Sequence, residues 1–121
     1  MNLPKLLRSF GHASQGIVTA CKTEQNFRIH LLAAVIVMIV SFFSSLSRLE
    51  WTVVILLVSG MFMLELINTA IERVVDLISP DYHPLAKQAK DLAAAACLVY
   101  AVATIIIGSI IFLPKWLVLL N

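Results

Sequence analysis

The chain reads as an all-α integral membrane protein, with three transmembrane helices and one N-terminal amphipathic helix on the bilayer surface. Three observations predict this. Of 121 residues, 60% are hydrophobic and 13% charged, far from the balance of a soluble domain. Mean hydropathy is +0.95, and the apolar residues are gathered into three long blocks. Ahead of those blocks, apolar and basic residues recur at helical spacing. A chain of this length holds a single domain.

Residues 1–28 form the surface helix. Leu3, Leu6, Leu7, Phe10 and Ile17 make one stripe, and Lys5, Arg8, His12, Gln15, Thr19 and Lys22 make another, as in an interfacial helix whose basic side faces water. Pro4 suits a first helical turn, and Gly11 and Gly16 are expected to bend the helix. Glu24 follows Ile17 by seven residues, which sets its carboxylate on the apolar face, toward the bundle. The spans cover residues 29–46, 51–75 and 92–113, each near the roughly 20 residues that cross a bilayer. The link between the second and third spans holds the turn signal Ser79-Pro80-Asp81 and a helix start near Pro84, so the third helix begins outside the hydrocarbon. Trp51 and Trp116 stand at span ends as belt anchors.

Lys5, Arg8, Lys22 and Arg28 precede the first span, and Arg73, Lys87 and Lys90 flank the second link. Only Arg48 and Lys115 mark the other side, so the positive-inside rule puts the N-terminus in the cytoplasm and the C-terminus outside. Cys21 and Cys97 form no C-x-x-C pair and read as free thiols. The first 28 residues hold no apolar run long enough for a cleaved signal peptide, so the first span serves as its own anchor. A net charge of +2 with no basic run interleaved with aromatics argues against nucleic acid as a partner. Phosphate-binding loops, dinucleotide fingerprints and the H-E-x-x-H zinc motif are absent, and His12, His30 and His83 show no metal-ligand spacing.

The run MFMLELINTAIERVVDL, beginning at Met61, carries the chemistry. Glu65, Asn68 and Glu72 fall at i, i+3 and i+7 on one face, the carboxylates about 10 Å apart along the axis. A carboxylate deep in a span costs on the order of 2.5–3.5 kcal/mol on insertion scales, and such groups usually face a bundle interior or a wet site. The bland alternatives are an inter-helix hydrogen bond at Glu65 and an interfacial pairing of Glu72 with Arg73 or a loop lysine. Lys5, Arg8 and Lys22 also serve as headgroup anchors. At the same end lie Glu24, Asp76, Asp91, Arg8, Arg28, Lys87 and Lys90. Hard oxygen ligands for magnesium, cations for phosphate oxygens and a carboxylate to take a hydroxyl proton together make a phosphoryl-transfer inventory. The small residues from Ala93 to Ala96 let a neighbouring helix approach, holding Lys90 near the acidic stripe. A transporter would favour an acid near the midplane, whereas here the polar groups crowd toward one end. A purely structural oligomer leaves the lysines and the stripe without a task.

The runs ELINTAIERVVDL and DYHPLAKQAKDLAAAACL resemble the signature of the prokaryotic diacylglycerol kinase family, small integral-membrane lipid kinases of bacteria. GIVTACKTEQNFRIH extends the resemblance, with the family's acid and arginine in place as Glu24 and Arg28, so it covers nearly the whole chain. The resemblance implies an ATP- and magnesium-dependent kinase of the bacterial plasma membrane. It also implies a homotrimer whose sites, at the cytoplasmic interface, combine residues of neighbouring chains. Carried over by position, Glu65 would be the general base on a lipid hydroxyl with Asn68 beside it, and Glu24 and Glu72 would hold the magnesium bound to ATP. Lys90 would contact the phosphates, and Asp91 would orient Lys90 or touch the nucleotide. Asp76, Arg8 and His83 match weaker positions. Of the two branches, one acting on diacylglycerol and one on undecaprenol, NFRIHLLAA and HPLAKQAKDLAAAA resemble the second. His30 and Gln15 stand where the first carries a glutamate and a lysine.

Overall fold

In lipid a backbone must satisfy its own N–H and C=O groups, and a helix does so within one segment. The computed structural model, covering residues 1–121, meets this with four helices: α1 Leu3–Thr23, α2 Gln25–Phe43, α3 Arg48–Ile78 and α4 Pro84–Leu120. Of 96 backbone hydrogen bonds, 89 lie within helices, so the spans carry few unmet backbone groups into the bilayer. The helices α2, α3 and α4 are each long and apolar enough to cross a membrane. Hydroxyls inside them bond back to their own helix, as Ser59 does to the Ile55 carbonyl and Thr104 to the Tyr100 carbonyl. At about 1.5 Å per residue, the 31 residues of α3 and 37 of α4 outrun a hydrocarbon core of about 30 Å. Both therefore continue beyond it at the end where the charges gather.

The N-terminal helix ends sooner than its amphipathic pattern suggests. Asn2 caps α1 by accepting the Lys5 N–H, and the helix runs unbroken through Gly11 and Gly16. It stops at Thr23, where Glu24 turns extended with φ −110° and ψ 112°. The Arg28 guanidinium reaches back to donate to the Cys21 and Lys22 carbonyls at 3.0 and 3.1 Å. That satisfies two of the carbonyls a helix end leaves orphaned. The segment 24–28 is therefore a corner and the first turn of α2, and Glu24 lies at the corner, not on the apolar face of a continuous helix.

At the opposite end Ser47 and Glu50 form a reciprocal capping box that starts α3. Pro114 was expected to lie beyond the third span, yet α4 continues through it to Leu120. Side-chain ties to the α2–α3 turn hold this segment in place. Lys115 pairs with Glu50 at 3.1 Å and donates to the Ser45 carbonyl, and the Trp116 indole donates to Ser44 Oγ. A small apolar core of Val54, Ile111 and Phe112 lies beneath them.

The tightest helix pairing is α3 against α4. The Tyr100 hydroxyl shares its proton between the Leu56 and Leu57 carbonyls at 3.0 and 3.1 Å and lies directly over Gly60. A Cβ at Gly60 would collide with the phenol ring, so this crossing requires glycine. Small residues at crossings of this kind let backbones approach in membranes.

Candidate active site

Only 11 of 121 residues are buried within the chain, and five of them are polar: Ser41, Ser44, Glu65, Asn68 and Thr69. Three of these five fall on one stretch of α3, so the stripe faces inward, as its spacing predicts. Glu65 is 4% exposed, and its polar neighbours come from other helices. Two groups approach it from other helices. His30 Nε2 on α2 stands 3.9 Å from Glu65 Oε2, and the Cys97 thiol on α4 faces the same carboxylate. One turn toward the charged end, Asn68 Nδ2 donates to Glu72 Oε1 at 3.3 Å, while Asn68 Oδ1 is buried with no partner. Glu72 thus engages Asn68, not Arg73.

An orphaned amide oxygen beside a carboxylate is a hard-oxygen pair, the donor type that magnesium takes. No group of three histidine, cysteine or acidic side chains gathers as a metal cage in the chain. Magnesium commonly uses one or two carboxylates and completes its shell with water and substrate phosphates, so two oxygens suit it. Glu24, expected to share the metal with Glu72, is instead held by Arg73 at 3.2 Å, with Thr23 accepting from the same guanidinium at 2.8 Å. The reason is angular. Arg73 follows Glu72 by one residue, about 100° around the helix, and so faces the α1–α2 corner where Glu24 stands.

Beyond the stripe, the aqueous ends of α3 and α4 meet. Lys90 pairs with Asp76 across the two helices. Asp91, expected to orient Lys90, pairs with Lys87 at 2.6 Å, because residues four apart share a face and consecutive ones do not. His83 caps α4, its Nδ1 accepting from the Leu85 N–H at 3.1 Å. A polar cavity of about 350 Å³ opens here, lined by Asp76, Ser79, His83, Lys87 and Lys90 among others. Arg8 is exposed on α1, about 24 Å along the helix from Glu24 by helical rise, and a single chain does not bring it to the stripe. From the Glu65 level an apolar cavity of about 210 Å³ runs the other way, between α2, α3 and α4, with His30 at its polar end. The α3 stripe therefore lies between a charged aqueous mouth, lined by Asp76 on the same helix, and a lipid-like groove, lined by Met61 and Phe62. His30 escaped the spacing argument because its partner lies on another helix. The one signal was a lone polar side chain within FRIHLLAAVIV.

Residues 11–112 match the model of the family described as prokaryotic diacylglycerol kinase. The chain belongs to that family. It is a membrane lipid kinase, with the fold and the paired carboxylates on α3 described above. The kinase is 53% identical to the undecaprenol kinase of Bacillus subtilis over 113 residues, covering 93% of this chain and 92% of that one. It is 42% identical to the diacylglycerol kinase of a Synechocystis strain, over 97% of this chain and 67% of the relative. With the diacylglycerol kinase of Escherichia coli K12 it shares 28% identity, over 84% of each chain.

Proposed function

We propose that the kinase transfers the γ-phosphate of ATP to the hydroxyl of undecaprenol, at the cytoplasmic face of the bacterial plasma membrane, as a homotrimer. One observation carries the reaction. A buried carboxylate, Glu65, lies on α3 between Met61 and Phe62, which line the apolar groove, and Asp76, which lines the charged mouth, with no cation bound to its oxygens at ion-pair contact shorter than the 3.9 Å to His30. Such a group is poised to accept the proton of an alcohol arriving from lipid. As Glu65 takes that proton, the alcohol oxygen bonds to the γ-phosphorus and the bond to the bridging oxygen breaks in line, leaving ADP with its electron pair. No phosphoenzyme forms. Lys90 holds phosphate oxygens, exchanging Asp76 for the nucleotide, and Asp91 keeps Lys87 beside it. Asn68 fixes Glu72, and these two would hold magnesium together with a Glu24 released from Arg73, the metal supplying charge that would neutralise the phosphate oxygens. Arg8 is offered to the nucleotide from a neighbouring copy, since its own chain keeps it remote.

The choice of undecaprenol rests on the high identity to the Bacillus subtilis enzyme and on His30 and Gln15, which replace the glutamate and lysine of the diacylglycerol branch. The Synechocystis relative, which matches 97% of this chain over 67% of its own length, supports diacylglycerol as the second reading. A path across the bilayer is disfavoured, because α3 carries no charged residue between Glu50 and Glu65. Glu65→Gln tests the chemistry. It is expected to lower transfer at least about a thousandfold while ATP with magnesium still raises the melting temperature. Turnover within tenfold of the parent chain would remove Glu65 from the base role.

A further inference from the structure

An imidazole that the mechanism above does not use stands beside the Glu65 carboxylate. His30 Nε2 lies 3.9 Å from Glu65 Oε2. That gap is too long for a direct hydrogen bond, yet one oxygen atom fits within reach of both. Two contacts of about 2.8 Å spanning it enclose an angle of about 90°, within the range a hydroxyl accepts. His30 also lines the apolar cavity. Ala33 and Ala34 on α2, Met61 and Phe62 on α3 and Ala101 on α4 line it, and the alanines leave the space. An aliphatic chain lying in that cavity brings its terminal hydroxyl to the imidazole and the carboxylate together. The other ionisable groups around the pair have their own engagements. On α3, Glu72 is bonded to Asn68, and on α4 Cys97 faces Glu65. At the corner Arg28 is spent on the α1 carbonyls, and Glu24 is paired with Arg73. His30 is thus the one cation-capable side chain that reaches Glu65, and about a quarter of it is open to solvent.

We infer that His30 is a second catalytic residue, whose unprotonated Nε2 faces the seat of the lipid hydroxyl beside Glu65 and takes up the released proton for delivery to water. This rests on Glu65 acting as the base. In the transfer the O–H bond breaks toward Glu65, the oxygen bonds to the γ-phosphorus, and ADP leaves with the electrons of the old bond. The neutral carboxylic acid then passes its proton to the free Nε2 lone pair of His30 through a water standing where the alcohol oxygen was, and the imidazole loses it to solvent, which restores the pair. Imidazole suits this step because it exchanges a proton readily between about pH 5 and 8.

The test compares His30→Gln, His30→Ala and Glu65→Gln as full-length protein in nanodiscs, with undecaprenol, ATP and magnesium. For the His30 variants kcat is expected to fall about 10- to 100-fold while the KM for ATP and the melting shift with ATP stay at the parent values. Added imidazole is expected to restore kcat to His30→Ala but not to Glu65→Gln, and His30→Gln is expected to lose the parent pH dependence between about pH 5 and 8. His30→Gln within twofold of the parent across that range, with Glu65→Gln inactive, would overturn the role of His30 and leave the base in place. A loss in His30→Ala that imidazole does not restore, with the parent pH profile retained in His30→Gln, would also overturn it, leaving His30 a packing residue. An active Glu65→Gln would instead defeat the reading of the base itself.

Discussion

The two glutamates of α3 differ in burial and company, and their substitution should separate binding from chemistry. Glu65 is buried, with His30 and Cys97 as its polar neighbours, whereas Glu72 is half-buried and held by Asn68 one turn closer to water. Glu72→Gln is accordingly expected to weaken magnesium and nucleotide together by about tenfold or more, read as a loss of the ATP-dependent melting shift. Unchanged nucleotide affinity would remove Glu72 from the metal. Lys90 offers a different contrast. Its ion pair with Asp76 joins side chains 39% and 62% exposed, and such pairs contribute only about 0–1 kcal/mol. Lys90→Gln should therefore leave the melting temperature of the nucleotide-free protein nearly unchanged while raising the KM for ATP by about tenfold. A large drop in thermal stability with an unaltered KM would make Lys90 a structural residue. The α3 stripe was legible in sequence because one helix's periodicity alone defines it. The partners of Glu24, Asp91 and Glu65 were not, because Arg73, Lys87 and His30 are chosen by rotation about an axis or by the approach of another helix.

At the level of the helices, α3 and α4 are joined where Tyr100 lies over Gly60. Gly60→Val should expel the phenol from its carbonyl contacts and destabilise the protein by about 1–3 kcal/mol, the usual cost of overpacking. Thermal unfolding in detergent, with Gly108→Ala as a control in open space, would register the difference. Equal melting temperatures for the two variants would contradict the close approach. Three apolar blocks of adequate length, and the amphipathic spacing ahead of them, make the existence of all four helices readable from sequence. Their ends are set by particular side chains. The break at Glu24 depends on Arg28 capping α1 from the following helix, and passage through Pro114 depends on Lys115 and Trp116 gripping the α2–α3 turn. Neither grip leaves a trace in local composition.

For the whole molecule, the sparse burial of a single chain leaves Leu32, Val35, Leu56, Val99 and Ile106 facing outward, to lipid or to other copies. A homotrimer with shared sites makes a specific demand on mixed assemblies. Co-expressed Glu65→Gln and Lys90→Gln chains, each crippled alone, should recover activity if a site takes its base from one chain and its lysine from the next. Random assembly of a ring with heterologous interfaces then restores about a quarter of the sites. Mixed preparations no more active than either variant would place both residues of a site on one chain. The central claim, a kinase that moves phosphate from ATP to a polyprenol through Glu65, is tested most directly by one transfer measurement. Labelled γ-phosphate is followed from ATP with magnesium to undecaprenol and to diacylglycerol, offered in parallel in the same nanodiscs, with Glu65→Gln alongside. The account predicts Glu65-dependent labelling that favours undecaprenol. Label that favours diacylglycerol would contradict the substrate, and label that persists in Glu65→Gln would contradict the mechanism.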